Sequence, residues 1–330
     1  SIRAIAIALG RGVGTISDEL NRNKVSGSYD AVKAQSKAAV RRKQAKIQLK
    51  RLVTDKKLEK FVVKALLKGK SPGSIAGRLK SGREPGLPYV CRDSIERYLV
   101  STHGTQLAYK LKCLKQEQGR KKCRKKPSSD SRMKQRGDPK TYIDDRPTGI
   151  TNRERVGDME VDFIVSGKGG HGYMLTSEDR KLRVGFIVPV NPPTVASAVK
   201  ALKKVKRRFP EFSTMTTDND ILWRYHKEIE QAVGITIYFC HEYSSWEKGG
   251  VENFNGVARR YLKKGSDLSQ YSDAYVKKVE ATLNDRYMAV LDYQTPQEAL
   301  DEYRKQQQTE AKPAHKNSQK KEMQCSASGA

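Results

Sequence analysis

The chain has 330 residues and a formal net charge of +28, from 65 Lys and Arg against 37 Asp and Glu. This length allows a sizeable core and predicts two or three domains. Such a positive charge indicates a polyanionic partner. A membrane surface is the competing polyanion, but no stretch approaches the roughly 20 apolar residues of a spanning helix, and the basic residues occur along the whole chain. Nucleic acid is therefore the expected partner.

The cysteines and histidines exclude two further classes of protein. The five cysteines contain no Cys-x-x-Cys pair, and the five histidines are scattered. An odd number of dispersed cysteines argues against a disulfide framework, and the histidine spacing argues against a zinc site. We therefore expect a reducing cytosol, for a chain without a visible signal peptide. A helical pattern begins at once at Ser1, so we expect the natural N-terminus to lie upstream or to have been trimmed.

Residues 1–52 predict a helical module. Apolar residues at helical spacing precede a glycine-containing turn at 10–14, and a second apolar stripe follows at Ile16 and Leu20. Two short helices about such a turn are typical of a helix-turn-helix, whose second helix enters the DNA major groove, and also of an ordinary helical hairpin. A very basic helix is predicted over 29–52. It either follows the phosphates or is simply solvated.

Residues 53–101 predict a second compact helical unit. Ser71 and Pro72 are a good cap and first-turn residue for one helix, and Asp93 or Ser94 is expected to begin the next. Periodicity fades over 102–147, where the cationic run 120–126 predicts a linker that adds sequence-independent affinity for DNA. The Gln-, Lys- and Ser-rich tail over 306–330 is expected to be disordered.

Residues 148–305 predict an α/β domain. Strands are expected at 159–165, 174–176, 184–190, just before Asp218, and at 235–239. Helices are expected at 194–209, 221–233, 251–262, 275–287 and from Pro296, and Gly249 and Gly250 are expected to break the chain before the helix at 251–262. The order β-β-β-α-β-α-β-α is that of a ribonuclease H-like domain. The whole chain is thus predicted to be multidomain, with all-α modules before an α/β domain.

Three acids of this domain come from separate elements. Asp218 follows a strand, Glu252 lies in the first turn of a helix, and Asp162 shares one strand face with Asp158 and Glu160. Carboxylates that converge in this way suit Mg²⁺ or Mn²⁺, which take oxygen ligands and keep positions open for phosphate and water. Any one of these acids alone is better explained as the solvated end of an element. The combination favours a metal site.

The sequence around these acids resembles that of the IS-thirty family of bacterial insertion-sequence transposases. The resemblance rests on GDMEVD, TTDND and SSWEKGGVENFNGVARRYLKKG, with thirty-three residues between Asp218 and Glu252, and continues through LNDRYMAVLDYQTPQEAL. It implies a ribonuclease H-like fold in which Asp162, Asp218 and Glu252 are the catalytic residues and hold two Mg²⁺ or Mn²⁺ ions. The implied activity is cleavage of DNA at terminal inverted repeats and strand transfer into target DNA, by a homodimer or a higher oligomer.

The resemblance extends to the N-terminus and implies further contacts with DNA. SIRAIAIALGRGVGTISDELNRN resembles the family's first helix-turn-helix, and SPGSIAGRL followed by SIERYL resembles its second. The DNA-binding residues implied are Arg11, Thr15, Ser17, Asn21, Arg22, Arg259, Arg260, Lys263 and Lys264. Arg259 is alternatively an exposed helical arginine. Trp246 is interpreted as a packing anchor in preference to a base-stacking residue.

In the N-terminal module Gly14 replaces a usual Ser and Asp18 a usual Arg of the family. Three residues of the catalytic motifs also depart from the family pattern, and two other functions compete. Met159 and Val161 replace a Trp and a Gly of the first motif, and Asp220 replaces the Gly of the second. A DNA-binding repressor that has lost catalysis is the rival from another class, and retention of all three acids favours the enzyme. A nuclease or retroviral-type integrase shares the triad, but the tandem helical modules argue against it.

Overall fold

The computed structural model describes residues 1–24, 27–48, 51–117, 138–167, 170–242 and 244–310. The predicted cationic linker run at 120–126 and the tail from residue 311 onward lie outside these residues. Within them, no helix is both long and apolar enough to cross a membrane.

The N-terminal part is all helical, as predicted. It contains α1 (Ile2–Ala8), α2 (Val13–Asn23), α3 (Ala31–Gln48) and α4 (Arg51–Thr54). Gly10, with φ of +58°, makes the turn after α1. Ala6, Ile16 and Ala34 are buried where the first three helices meet. The Arg41 guanidinium donates to Asn23 Oδ1 at 2.5 Å and so ties α3 to the end of α2.

Four further helices form the second helical unit. These are α5 (Lys56–Leu67), α6 (Pro72–Lys80), α7 (Arg92–Val100) and α8 (Thr105–Glu117). Ser71 caps α6 through its hydroxyl, which accepts from Ser74 N, as the Ser-Pro pair predicts. The expected start of α7 at Asp93 or Ser94 is wrong by one or two residues, because Cys91 occupies the N-cap position.

Helix α8 lies where the sequence predicted only a linker from residue 102. Leu107 is buried and Leu111 half-buried against the core of α4–α7. The four-residue step between these leucines places them on one helix face, which explains why the segment folds onto the unit. The helical unit therefore extends beyond the predicted boundary at 101.

The α/β domain is built on one five-stranded sheet. Its strands are β1 (Asp158–Val165), β2 (Tyr173–Asp179), β3 (Gly185–Val190), β4 (Thr214–Thr217) and β5 (Thr236–Phe239). The spatial order is β3-β2-β1-β4-β5. The β1–β2 and β2–β3 pairs are antiparallel, and the β1–β4 and β4–β5 pairs are parallel. This is the ribonuclease H-like topology that the element order predicted.

Helices cover both faces of the sheet. They are α9 (Thr148–Thr151), α10 (Val195–Arg208), α11 (His226–Val233), α12 (Gly249–Ala258), α13 (Asp273–Asn284) and α14 (Pro296–Glu310). One apolar core lies between the sheet and α10 and α11, and it contains Met159, Val161 and Trp223. The other lies between the sheet and α12 and α13, and it contains Ile164 and Phe254.

Several helix boundaries in the α/β domain differ from the predicted ones. The helix expected over 221–233 is a short 3₁₀ turn, Ile221–Trp223, followed by α11. Asp220 Oδ1 caps that turn by accepting from Leu222 N at 2.8 Å. The predicted closing helix at 275–287 is α13, two residues earlier at its start. Helix α14 continues to Glu310, so residues 306–310 are helical and not disordered, since Gln and Lys are good helix formers.

The second helical unit is docked on the C-terminal part of the α/β domain. The Arg78 guanidinium, 7% exposed, donates to both carboxylate oxygens of Glu298, at 2.6 and 2.8 Å. Gly77 faces the Tyr293 ring, and a Cβ added at Gly77 would lie 2.0 Å from Tyr293 Cε1. Lys70 Nζ lies 3.6 Å from the centroid of the Tyr287 ring. Two helical surfaces are therefore closely matched across this contact.

Candidate active site

Asp162 and Asp218 lie at matching register positions of the neighbouring strands β1 and β4. Strands β1 and β4 are parallel, with Asp158 paired to Thr214 and Glu160 to Thr216. Extending that register by two residues places Asp162 beside Asp218, just beyond the end of β4. The parallel ladder thus brings two carboxylates from distant parts of the chain to one edge of the sheet.

The two carboxylates converge on the ammonium group of Lys248. Lys248 Nζ lies 3.1 Å from Asp162 Oδ1 and 2.7 Å from Asp218 Oδ2. The lysine side chain is 8% exposed, against 21% for Asp162 and 45% for Asp218. Burial lowers the pKa of Lys248, but the two carboxylates outweigh burial, and the net pKa is raised. Lys248 is therefore a fixed positive charge between the acids.

Two residues of the next helical segment face the same acids. Asn255 Nδ2 donates to Asp162 Oδ2 at 2.8 Å, while Asn255 Oδ1 is buried without a hydrogen-bond partner. Arg259 follows the last residue of α12, and its Nη2 donates to Val165 O at 2.9 Å. Arg259 Nη1 is buried and has no partner. The site thus contains one acceptor and one cationic donor that are unpaired.

Glu252 lies in the first turn of α12, as predicted, and its side chain is exposed. The predicted helix over 251–262 instead runs from Gly249 to Ala258, so Gly249 and Gly250 begin the helix and do not break the chain. Among the described residues, no group of three or more His, Cys, Asp or Glu side chains is close enough to hold a metal ion. The structure therefore brings together Asp162 and Asp218, and leaves Glu252 at the surface.

The other two acids of β1 are fully engaged elsewhere. Asp158 is buried, accepts from Thr214 Oγ1 at 2.6 Å, and pairs with Arg155 at 2.9 Å. Glu160 is 2% exposed and pairs with Arg180 Nη1 at 2.6 Å. Of the three alternate acids, only Asp162 has an accessible carboxylate.

The turn before α12 positions both Lys248 and Trp246. Glu247 accepts from His241 N at 2.9 Å and pairs with His241 Nδ1 at 2.9 Å, which closes the segment after β5. Trp246 lies on this 3₁₀ turn and is 76% exposed. The packing-anchor interpretation of Trp246 is therefore wrong, because most of its side chain is exposed.

The departures from the family's motifs do not touch the acids. Met159 and Val161 are buried in the core on the opposite sheet face from Asp162. Asp220 has a φ of −65°, so it needs no left-handed backbone at a position where the family has Gly. These residues fill the core or cap a turn.

The expected DNA contacts lie on exposed surfaces. Arg11 precedes α2, and Thr15, Asn21 and Arg22 lie exposed on α2, whereas Ser17 is half-buried. Arg260, Lys263 and Lys264 are exposed after α12.

Comparisons with known proteins cover nearly the whole chain, although no family model matches it. The transposase of insertion sequence element IS4351 of Bacteroides fragilis is 36% identical over 304 residues, covering 90% of this chain and 89% of the relative. Transposase InsI of element IS30A of Escherichia coli is 31% identical, covering 91% and 79%. The IS1086 transposase of Cupriavidus metallidurans is 30% identical, covering 91% and 88%. This chain belongs to the IS-thirty family of insertion-sequence transposases.

The transposase is thus an enzyme of DNA transposition, a polynucleotidyl transferase of the DDE type. The alternative of a catalytically inactive repressor finds no support among these relatives. Solved structures similar to the transposase include the HTLV-2 integrase catalytic core with magnesium, at 17% identity and a TM-score of 0.32, covering 39% of this chain and 87% of that one. The core domain of BIV integrase, at 14% identity, gives a TM-score of 0.37 and covers 46% and 97%.

Sequence reasoning missed Lys248 and Asn255 in the transposase. Both stand within the third motif, four residues before and three after Glu252, and these spacings could have placed them on the same side of the segment as Glu252. Their contacts depend on the β1–β4 pairing, which the sequence alone does not give.

A buried acid beneath the site makes the stability of the transposase depend on pH. Burial raises the pKa of Glu178 to about 7, although Arg183 opposes it. Between its unfolded pKa and pH 7 the folded state keeps a proton that the unfolded state releases. Stability is therefore expected to fall by roughly 3 kcal/mol as the pH rises from 4.5 to above 7.

Glu178→Gln is expected to flatten this dependence in urea unfolding measured at pH 5 and pH 7.5. Some slope remains in the variant, because burial also raises the pKa of Asp179 to about 6. Glu228→Gln, at an exposed position, is the matched control and keeps the wild-type slope. An unchanged slope in Glu178→Gln contradicts the expectation.

Proposed function

We propose that the transposase binds the terminal inverted repeats of its element and cuts and rejoins DNA strands at Asp162, Asp218 and Glu252. The observation that carries this assignment is the convergence of the Asp162 and Asp218 carboxylates on one cation, the Lys248 ammonium. A position where two carboxylates hold a single positive charge, open to solvent on the Asp218 side, fits a metal ion.

The residues present fit Mg²⁺ or Mn²⁺, two per site. The donors are carboxylate oxygens, which these ions prefer, and Asn255 Oδ1 adds a buried oxygen without a partner. Asp162 and Asp218 would hold the metal, with Glu252 as the third ligand. When bound, the metal supplies activation of a water or 3′-hydroxyl and charge stabilisation at the leaving oxygen.

The chain's own cations would bind and orient the DNA. Arg259 Nη1 lies buried beside the acids without a partner, which suits a phosphate oxygen. Arg260, Lys263 and Lys264 extend a positive surface from the end of α12. Phosphate contacts of this kind position the strand without reading its sequence.

Reading of the terminal repeats is assigned to the helical modules. Arg11, Thr15, Ser17, Asn21 and Arg22 would contact DNA from α2 and the turn before it, with α2 in the major groove as the second helix of a helix-turn-helix. The proposed divisions are 1–52, a second module from 53 that includes α8, a basic linker to 147, and the catalytic domain from 148 through α14. Because two element ends must be joined, we propose a dimer or higher oligomer, acting on the bacterial nucleoid in the cytoplasm.

The direct test is strand cleavage of a labelled duplex that carries the element's terminal repeat, with Mg²⁺ or Mn²⁺. The wild type is expected to nick the duplex at the element end only with metal. Glu252→Gln keeps the side chain's shape and removes its charge, so it is expected to bind the duplex and not nick it. Equal nicking by Glu252→Gln removes that residue from the proposed triad.

Trp246 is expected to report DNA binding near the acids by its fluorescence. The chain has two tryptophans, and Trp223 is fully buried while Trp246 is 76% exposed. Stacking of a base on an exposed aromatic ring contributes about 1–3 kcal/mol, so Trp246 emission is expected to be quenched by terminal-repeat DNA. Trp246→Phe leaves only Trp223. Quenching of equal size in that variant contradicts contact at Trp246.

A further inference from the structure

Helix α12 begins without a cap of its own. The first four N–H groups of any helix lack partners within the helix and need acceptors from elsewhere. The residue before α12 is Lys248, whose side chain makes no capping hydrogen bond. Its ammonium is instead occupied by Asp162 and Asp218. A side-chain acceptor for the start of the helix that carries Glu252 is supplied by a residue from another element.

The partner comes from the sheet. Glu160 Oε2 on β1 accepts from Val251 N at 3.1 Å, in the first turn of α12. Glu160 Oε1 accepts from Arg180 Nη1 at 2.6 Å. Arg180 is 6% exposed and also donates to Ile150 O at 3.3 Å. Each oxygen of the carboxylate therefore has its own fixed donor, and the acid is held on both sides.

This contact explains why a glycine stands at position 250 in the first turn of α12. A Cβ added at Gly250 would lie 2.6 Å from Glu160 Oε2 and 2.7 Å from Glu178 Oε2. Only a residue without a side chain lets the helix backbone come so close to the buried acids. The negative charge of Glu160 also lies at the positive end of the helix dipole.

We propose that Glu160 is the positioning residue of the catalytic centre. It fixes the first turn of α12 against β1, and so sets the distance between Glu252 on that turn and Asp162, two residues along the same strand. The inference rests on the proposed function for the role of Glu252, and on geometry alone for the contact with Val251. Glu160 itself binds no metal, because both of its oxygens are engaged and the side chain is 2% exposed.

Hydrogen exchange of the metal-free, full-length protein tests the contact without any use of activity. Glu160→Gln leaves one acceptor, which Arg180 takes, and Glu160→Asp keeps the charge but is shorter by one methylene. Both are expected to speed exchange of the 249–252 amides about threefold to tenfold, since a hydrogen bond contributes roughly 0.5–1.5 kcal/mol. Asp158→Asn is the matched control, because Asp158 is a buried, ion-paired acid on the same strand face. It leaves this exchange unchanged.

Two further readouts separate positioning from a general loss of stability. Bound Mg²⁺ is expected to raise the melting temperature of the protein. In both Glu160 variants, the Mg²⁺ concentration that gives half of this increase is expected to be several-fold higher, and the rate of DNA cleavage is expected to be lower. Metal-free binding of terminal-repeat DNA stays at the wild-type level. Exchange at 249–252 no faster than in Asp158→Asn overturns the proposal. A wild type without metal-dependent cleavage overturns the proposed function instead, and the exchange comparison still decides whether Glu160 holds α12.

Discussion

Asp162→Asn and Asp218→Asn are each expected to lower the rate of strand cleavage about a thousandfold or more. Both carboxylates contact the same ammonium, at 3.1 and 2.7 Å, so each supplies one of the negative charges that would hold a divalent cation. Metal ions provide several kcal/mol of charge stabilisation in the transition state, and about 1.4 kcal/mol corresponds to a factor of ten in rate. The measurement is single-turnover nicking of terminal-repeat DNA at saturating protein.

Asp220→Asn is the matched control for Asp218→Asn. Asp220 lies two residues farther along, and its carboxylate caps Leu222 N, which an asparagine also does well. Its cleavage rate is therefore expected to stay within a few-fold of the wild type. A thousandfold loss of cleavage rate in Asp220→Asn would contradict the assignment of Asp218 as the second acid. A wild-type rate in Asp162→Asn would exclude Asp162 from the site.

The sequence predicted elements more reliably than the contacts between them. Strand β1 and the first-turn position of Glu252 follow from local pattern, because alternation and helical spacing are properties of neighbouring residues. The level placement of Asp162 and Asp218 requires the parallel β1–β4 pairing, which joins residues 56 positions apart. Lys248 could not be assigned to the acids without that pairing.

Two predictions made from local sequence are wrong, for Trp246 and for the glycines before Val251. Trp246 is predicted to pack inside because tryptophans usually do, yet it lies exposed on the 3₁₀ turn before α12. Gly249 and Gly250 were expected to break the chain, since glycine disfavours helices. The close approach of buried Glu160 and Glu178 overrides this propensity, because a side chain at Gly250 would collide with both.

The contact between the second helical unit and the α/β domain predicts a large effect of mutation on stability. Gly77→Ala is expected to destabilise the protein by about 1–3 kcal/mol, because its Cβ would lie 2.0 Å from the Tyr293 ring and overpack the contact. Tyr293 has a positive φ of 59°, so its backbone is already constrained and cannot easily move the ring away. The measurement is the free energy of unfolding in urea.

Gly73→Ala on the same helix is the matched control. A Cβ there would meet Arg92 Cδ at 3.8 Å, an ordinary contact, so this change is expected to be neutral or to stabilise α6 by up to about 1 kcal/mol. In Gly77→Ala/Tyr293→Ala the ring is absent, and Gly77→Ala is expected to add no loss to that of Tyr293→Ala. Additive losses in the double variant would mean that α6 and Tyr293 do not pack in solution. The non-additive outcome would establish that the second helical unit and the catalytic domain are held as one body through Gly77.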